Sequence, residues 1–202
     1  MNRALKALRV ADPELAPWLK RAGPFRLELS MLHNPYRALA RAVVGQQISG
    51  KAATAIFGRV CAHFGGKTFP APRVLLAETE EALRGCGLSR MKVLSLQDLA
   101  QKSLEGTVPT LSALRKLSDD AIVERLTAVR GIGTWTVQMM LMFRLGRADV
   151  MPCTDYGVRK GYARVFTRGV LPAPKAVEAR GERWRPYRSI ASWYLWRVLE
   201  LP

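Results

Sequence analysis

Histidine and cysteine are both scarce in this chain of 202 residues: two histidines, His33 and His63, and three cysteines, Cys61, Cys86 and Cys153. A Ser-His-Asp or Cys-His triad, or a zinc centre, has little to draw on. The cysteines are odd in number and widely spaced, with no C-x-x-C, which argues against a disulfide framework and a four-cysteine iron–sulfur cluster. Long apolar runs are missing as well. The longest, such as Met139 to Phe143, fall far short of the roughly 18 residues a spanning helix needs, so no transmembrane helix and no membrane-embedded role is expected. Met1 to Val10 is basic but has no continuous hydrophobic region, and Asp12 and Glu14 follow at once, which fits neither a secretory signal nor an acid-poor transit peptide. The expected location is the cytoplasm, with a bacterial nucleoid, or a nucleus. Acidic side chains are also few: 16, against 32 Lys plus Arg, for a formal charge of +16.

Apolar residues hold 49% of the chain, enough to pack a core and to exclude a disordered basic tail. A charge excess of this size on a foldable chain favours a polyanionic partner, nucleic acid or an anionic membrane surface. Helical punctuation dominates the sequence. Asn34 before Pro35 is a cap followed by a first-turn proline, and the apolar positions Ala38, Ala40, Val43 and Val44 continue it as a helix. Ala52 to Phe64 reads as a second helix, stopped by Gly65 and Gly66. Thr79 to Leu83 and Met91 to Leu99 are shorter candidates. Ser118, with Asp119 and Asp120 in the first turn, caps a helix that keeps Ile122, Leu126 and Val129 on one face. Tyr156 to Phe166, Pro174 to Glu182 and Tyr187 to Leu199 complete the set. No segment alternates with period two for long, so the expected fold class is all-α.

The passage Leu126 to Phe143, LTAVRGIGTWTVQMMLMF, ends one helix, turns at Gly131-Ile132-Gly133 and starts another at once, which is a helix–hairpin–helix pattern. Glycines permit the positive φ angles of a tight turn and leave the backbone N–H groups open to an anion. The helix that follows adds its unpaired N–H groups and its dipole, which makes the turn a phosphate seat. A plain glycine-rich connection between buried helices stays open on this motif alone. Two nucleotide motifs are excluded by spacing: Thr136 stands where a dinucleotide fingerprint needs its third glycine, and Cys61 where a P-loop ending in Gly66-Lys67-Thr68 needs its first. Further on, Val150 to Gly157 ends an apolar stretch in one carboxylate, Asp155, most simply a cap for Tyr156 to Phe166. From Tyr156 to Arg188 nine basic residues face two acidic ones, so a carboxylate at this edge would repel phosphates unless it served chemistry. Trp184 to Trp196, WRPYRSIASWYLW, interleaves aromatics with arginines, a pattern suited to base stacking and phosphate contact. The alternative is a core helix with snorkelling arginines, and most of these rings are expected in the core, with one or two lining a cleft.

Taken together, AVVGQQIS at 42–49, the Gly131 hairpin with Trp135 and Thr136, Thr154-Asp155-Tyr156, and WRPYRS at 184–189 resemble the helix–hairpin–helix DNA glycosylase superfamily. Within it they are similar to the 3-methyladenine DNA glycosylase II, or AlkA-type, family. The resemblance runs from about Asn34 to Trp196. It implies two helical lobes with an active-site cleft between them: a terminal lobe from 1–32 and 148–202 that carries the catalytic aspartate, and a central lobe, 33–147, with the hairpin motif at about 118–145. By the resemblance, Asp155 is the catalytic aspartate. Trp135, Met139, Tyr156 and Trp196 line the base pocket, Met139 standing where some members have a tyrosine. Gly131, Gly133 and Thr136 grip a phosphate, and Gln47 plugs the gap left in the duplex. The main-chain carbonyls of Thr127, Val129 and Ile132 form a site for a structural Na+ or K+; no cofactor is required.

The implied activity is that of a monofunctional DNA glycosylase of base excision repair. It flips out alkylated purines such as 3-methyladenine or 7-methylguanine from double-stranded DNA, hydrolyses the N-glycosidic bond and leaves an abasic site. Strand-cleaving relatives carry a lysine where this chain has Trp135, so no Schiff base with the sugar is expected. One lesion per site gives no reason for more than a monomer. Two rivals remain at the level of sequence: a non-catalytic helix–hairpin–helix DNA-binding protein, and a basic protein that coats nucleic acid or anionic lipid through charge alone.

Overall fold

The computed structural model describes residues 2–202, so Met1, the first residue of the expected terminal lobe, lies outside the described residues. The described residues are helical without a strand, in the order α1 (Asn2–Ala11), α2 (Ala16–Arg21), α3 (Pro35–Gly45), α4 (Gly50–His63), α5 (Pro72–Leu76), α6 (Glu80–Gly85), α7 (Arg90–Leu104), α8 (Leu111–Leu114), α9 (Asp119–Thr127), α10 (Thr134–Phe143), α11 (Tyr156–Phe166), α12 (Pro174–Gly181) and α13 (Arg188–Val198). A 3-10 turn, Glu182–Trp184, joins the last two. Among the described residues no helix is long and apolar enough to cross a membrane.

Local capping explains where several of the helices begin. Asn34, Ser49, Thr79, Ser89, Thr110 and Ser118 each accept a hydrogen bond from the amide three residues on, that of Arg37, Ala52, Ala82, Lys92, Ala113 and Ala121. Each cap satisfies one of the amides that a helix start leaves without a partner. The two short helices α5 and α8 do not emerge from periodicity, because five and four residues are too few to show a 3.6-residue repeat.

The chain divides into two compact units. The central unit is Leu32–Val137. Its core takes Leu39, Val43 and Val44 from α3, Val60 from α4, Leu75 from α5, Leu83 from α6, Val93, Leu96 and Leu99 from α7, and Ile122 and Leu126 from α9, all fully buried. The terminal unit joins the stretch up to Met31 with Gln138–Pro202. Its core is built from Leu8 and Leu19 on the amino-terminal helices and Leu15 in the turn between them, together with Val158, Val177, Trp184, Tyr194 and Leu195. The second division falls inside α10, not at the expected position 148, and the reason is visible in the second half of that helix. Gln138 Nε2 donates to the Met151 carbonyl at 3.1 Å, the Phe143 carbonyl accepts the Ser30 N–H at 3.0 Å, and the Phe143 ring stacks on Trp196 with centroids 5.8 Å apart.

Within the terminal unit α11 and α13 cross closely. A Cβ at Gly161 would stand 2.0 Å from the Leu195 carbonyl oxygen, so only glycine admits the approach. Asp12, buried just after α1, accepts two bonds from Arg180 at 2.7 Å each and one from Trp184 Nε1 at 3.1 Å. This network ties the amino-terminal helices to α12 and the turn after it.

Candidate active site

Asp155 is the N-cap of α11, with its side chain bonded to the Val158 N–H. That Oδ1···H–N bond is 2.7 Å, and Oδ1 also accepts the Trp196 indole N–H at 2.7 Å. Two donors on one oxygen fix the plane of the carboxylate, while the start of α11 favours negative charge there. Asp155 is half-buried. The cap reading from sequence is therefore correct, and it coexists with a carboxylate held in a set orientation.

The indole reaches Asp155 because residue 157 has no side chain. A Cβ at Gly157 would lie 2.7 Å from Trp196 Cδ1, 2.9 Å from its Nε1 and 3.1 Å from Asp155 Oδ1. Trp196 thus has its edge on Asp155 and one face on Phe143. Tyr156 is 62% exposed, and the Lys160 ammonium lies over its ring, 5.5 Å from the centroid. Met139 is half-buried on α10. The expectation for the carboxy-terminal aromatics holds in part: Trp184 and Tyr194 are core at 1% and 0% exposure, whereas Tyr187, Trp193 and Trp196 are half-buried.

In the central unit α9 closes at Thr127 and α10 opens at Thr134. Gly131 takes φ +76°, a left-handed angle that favours glycine, and a Cβ there would also stand 2.6 Å from Ser95 Oγ. Gly133 departs from the sequence reading, because its φ is not positive. No atom lies within 4 Å of a Cβ placed on it, so what its missing side chain leaves is open space beside the turn. Ile132 is buried and its N–H bonds the Val129 carbonyl at 3.1 Å, closing the turn. Trp135 is 47% exposed, while Thr136 is half-buried one residue on. Gln47, between α3 and α4, is exposed and has φ +58°. A non-glycine residue holds such an angle only where its surroundings impose it, and such residues gather at functional sites.

Sequence reasoning missed Gly157, Gln46, Lys92 and Asp98. Lys92 and Asp98 belong to no quoted motif, Gln46 and Gly157 lie inside quoted stretches that give them no role, and each shows its role through a partner distant in sequence. Asp98 Oδ2 accepts the Arg130 N–H at 2.7 Å, and Lys102 Nζ sits 2.8 Å from both carboxylate oxygens. Burial pushes the Asp98 carboxyl up, but the Arg130 N–H and the Lys102 ammonium outweigh it and hold the group below the ordinary carboxylate range. A depressed carboxylate stabilises the fold above its unfolded value, about pH 3.9, and loses that contribution as pH falls through the folded value. The Arg130 amide resonance should therefore keep its hydrogen-bonded shift down to a midpoint below that pH in an NMR titration. A midpoint at or above it would contradict this account.

His63 and the three cysteines are taken up away from Asp155. His63 pairs with Glu78 at 2.7 Å, and Cys61, Cys86 and Cys153 are free thiols pushed up in pKa by burial. Among the described residues no group of His, Cys, Asp and Glu is arranged to hold a metal ion.

An all-helical chain with a glycine hairpin between two helices, and with a capped aspartate at the start of a later helix, defines a helix–hairpin–helix protein with a candidate carboxylate centre. Residues 40–186 match the family described as HhH-GPD superfamily base excision DNA repair protein, and the chain belongs to that superfamily. It is 39% identical over 184 residues to the DNA-3-methyladenine glycosylase 1 of Schizosaccharomyces pombe, spanning 91% of this chain and 81% of that protein. A solved structure of a 3-methyladenine DNA glycosylase from the same yeast, in complex with abasic DNA, superposes with a TM-score of 0.85 at 37% identity, covering 98% of this chain and 97% of that one. A DNA-3-methyladenine glycosidase from Bacillus halodurans gives the same TM-score, 0.85, at 33% identity over 96% of this chain and 87% of its own.

Proposed function

We propose that this protein is a monofunctional DNA glycosylase of base excision repair that releases alkylated purines, such as 3-methyladenine and 7-methylguanine, from double-stranded DNA. The observation that carries the reading is Asp155: one carboxylate, fixed by a helix amide and an indole N–H, in a strongly basic chain. Extrusion of the nucleotide costs least at a damaged, weakly paired base, so selectivity begins there. An N-alkylated purine is already cationic and needs no proton to leave. The C1′–N bond breaks with its electron pair going to the base, and the sugar becomes oxocarbenium-like. Asp155 steadies that positive charge and orients the water whose oxygen bonds C1′, the water's proton passing to the carboxylate or to solvent.

In this reading Trp135, Met139, Tyr156 and Trp196 hold the extruded base, the electron-rich rings attracting its positive charge. Gln47 fills the gap in the duplex, and Gly131, Gly133 and Thr136 grip a neighbouring phosphate. The carbonyls of Thr127, Val129 and Ile132 suit a Na+ or K+: Thr127 ends α9, where carbonyls lack an intrahelical donor, and the Val129 oxygen keeps a lone pair beside its bond from Ile132. Such an ion would draw the phosphate toward the hairpin; no other cofactor is invoked. The protein acts as a monomer on DNA, in a nucleoid or a nucleus.

Mass spectrometry of bases freed from methylated duplex is the direct test. Methylated purines should appear, and the strand should break only after hot alkali, because Trp135 offers no amine for a lyase step. Absence of any freed base above the spontaneous background would overturn the reading. Gly157→Ala should slow excision about tenfold or more, the worth of one charge-assisted hydrogen bond, because its Cβ displaces the indole from Asp155. Circular dichroism should show helix content unchanged. A single-turnover rate equal to wild type would remove Trp196 from any role in positioning the carboxylate.

A further inference from the structure

Lys92, Ser95 and Asp98 repeat every third residue along α7 and so share one of its faces. They meet two turns of the central unit that are far apart in sequence. Lys92 Nζ donates to the Val44 carbonyl at 2.8 Å and to the Gln46 carbonyl at 2.9 Å. Burial depresses this ammonium, yet two of its donors are given to carbonyls at the end of α3. Gln46 completes the link, its Nε2 donating to the Gly131 carbonyl at 2.7 Å across 85 residues of sequence. On the hairpin side Ser95 Oγ fills the space where a Cβ on Gly131 would stand, and Asp98 takes the Arg130 N–H. The turn bearing Gln47 and the turn bearing Gly131 are therefore held to each other by Gln46 and to α7 by the three side chains.

We propose that Gln46 and Lys92 are positioning residues that lock the Gln47 tip in register with the Gly131 turn. Filling the duplex gap and gripping the adjacent phosphate then act as one rigid tool. The inference rests on the glycosylase reading and assigns these residues to nucleotide extrusion, not to bond cleavage. Neither side chain needs to touch the base. The left-handed Gln47 is the residue that gains from the lock, because its backbone is held on the amino-terminal side by Gln46, whose carbonyl Lys92 binds. A lock of this kind matters most when the tip must compete with an intact base pair, and least when extrusion is already easy.

Single-turnover excision of 7-methylguanine from two duplexes tests this, one with cytosine opposite the lesion and one with an abasic analogue opposite. Gln46→Met removes the amide donor at a half-buried site, and should slow release about tenfold opposite cytosine, with little change opposite the abasic analogue. Lys92→Met should show the same selectivity, and Lys92→Arg, which keeps donors, should recover most of the rate. Thermal midpoints of all three variants are measured alongside. Equal losses on both duplexes, or no loss on the paired one, would overturn the lock while leaving the glycosylase reading intact. Failure of the wild type to release base from either duplex would instead overturn that reading, and the lock with it.

Discussion

Asp155→Asn should lower the single-turnover rate of base release by about 100- to 1,000-fold, the loss seen when one preorganised electrostatic partner of a transition state is removed. Asparagine keeps the shape of the side chain. Its carbonyl oxygen can still accept the Val158 N–H and the Trp196 indole N–H, the two bonds that Oδ1 accepts at 2.7 Å. The α11 cap and the position of Trp196 should thus survive, and only the charge facing the sugar is lost. Affinity for damaged duplex should not fall, because the substitution removes a negative charge from a chain that already carries +16 and whose binding to phosphates strengthens with positive charge. Gel-shift titration paired with single-turnover excision separates the two effects. Excision near the wild-type rate would dismiss Asp155 from the chemistry.

Asp12→Ala should cost about 3 kcal/mol of stability, toward the lower end of the range for removing one partner of a buried ion pair. Asp12 is 1% exposed and the Arg180 side chain 17%, so the substitution strands a guanidinium and the Trp184 N–H in a region with little water. The loss stays at the low end because Arg180 also binds Glu14 at 2.7 Å, and its guanidinium lies 3.6 Å from the Phe166 ring centroid. For a chain of this size the thermal midpoint should fall by about 6–12 °C. Asp12→Leu combined with Arg180→Met, which removes both charges, should recover much of the loss. If Asp12→Ala melts within about 1 °C of wild type, the network contributes little to holding the amino-terminal helices.

The fold class and most of the helices were legible in the sequence, because both rest on local physics. A serine, threonine or asparagine that accepts from the amide three residues on marks a helix start wherever it occurs. Asn34, Ser118 and Asp155 are all legible as caps in the sequence. The hairpin was readable for the same reason, although only Gly131 of its two glycines uses a left-handed angle. A G-x-G pattern does not say which glycine is there for its backbone angle, as Gly131 is, and which for the open space beside it, as Gly133 is. Similarly, the count of tryptophans between Trp184 and Trp196 could not separate Trp184, which is core, from Trp196, which bonds the carboxylate.

What the sequence determined alone is an all-α, strongly basic chain with a glycine hairpin and one conspicuous aspartate. Caps, turn glycines and apolar periodicity act over a few residues, and their consequences can be read in one dimension. Tertiary structure decided which groups meet: Trp196 with Asp155 across 41 residues, Gln46 with Gly131 across 85, and Arg180 with Asp12 across 168. Those encounters depend on how closely helices cross, and glycines such as Gly157 and Gly161 set that distance by what they lack. No local pattern encodes it, since the group that a missing Cβ makes room for, the Trp196 ring at Gly157 or the Leu195 backbone at Gly161, belongs to another helix.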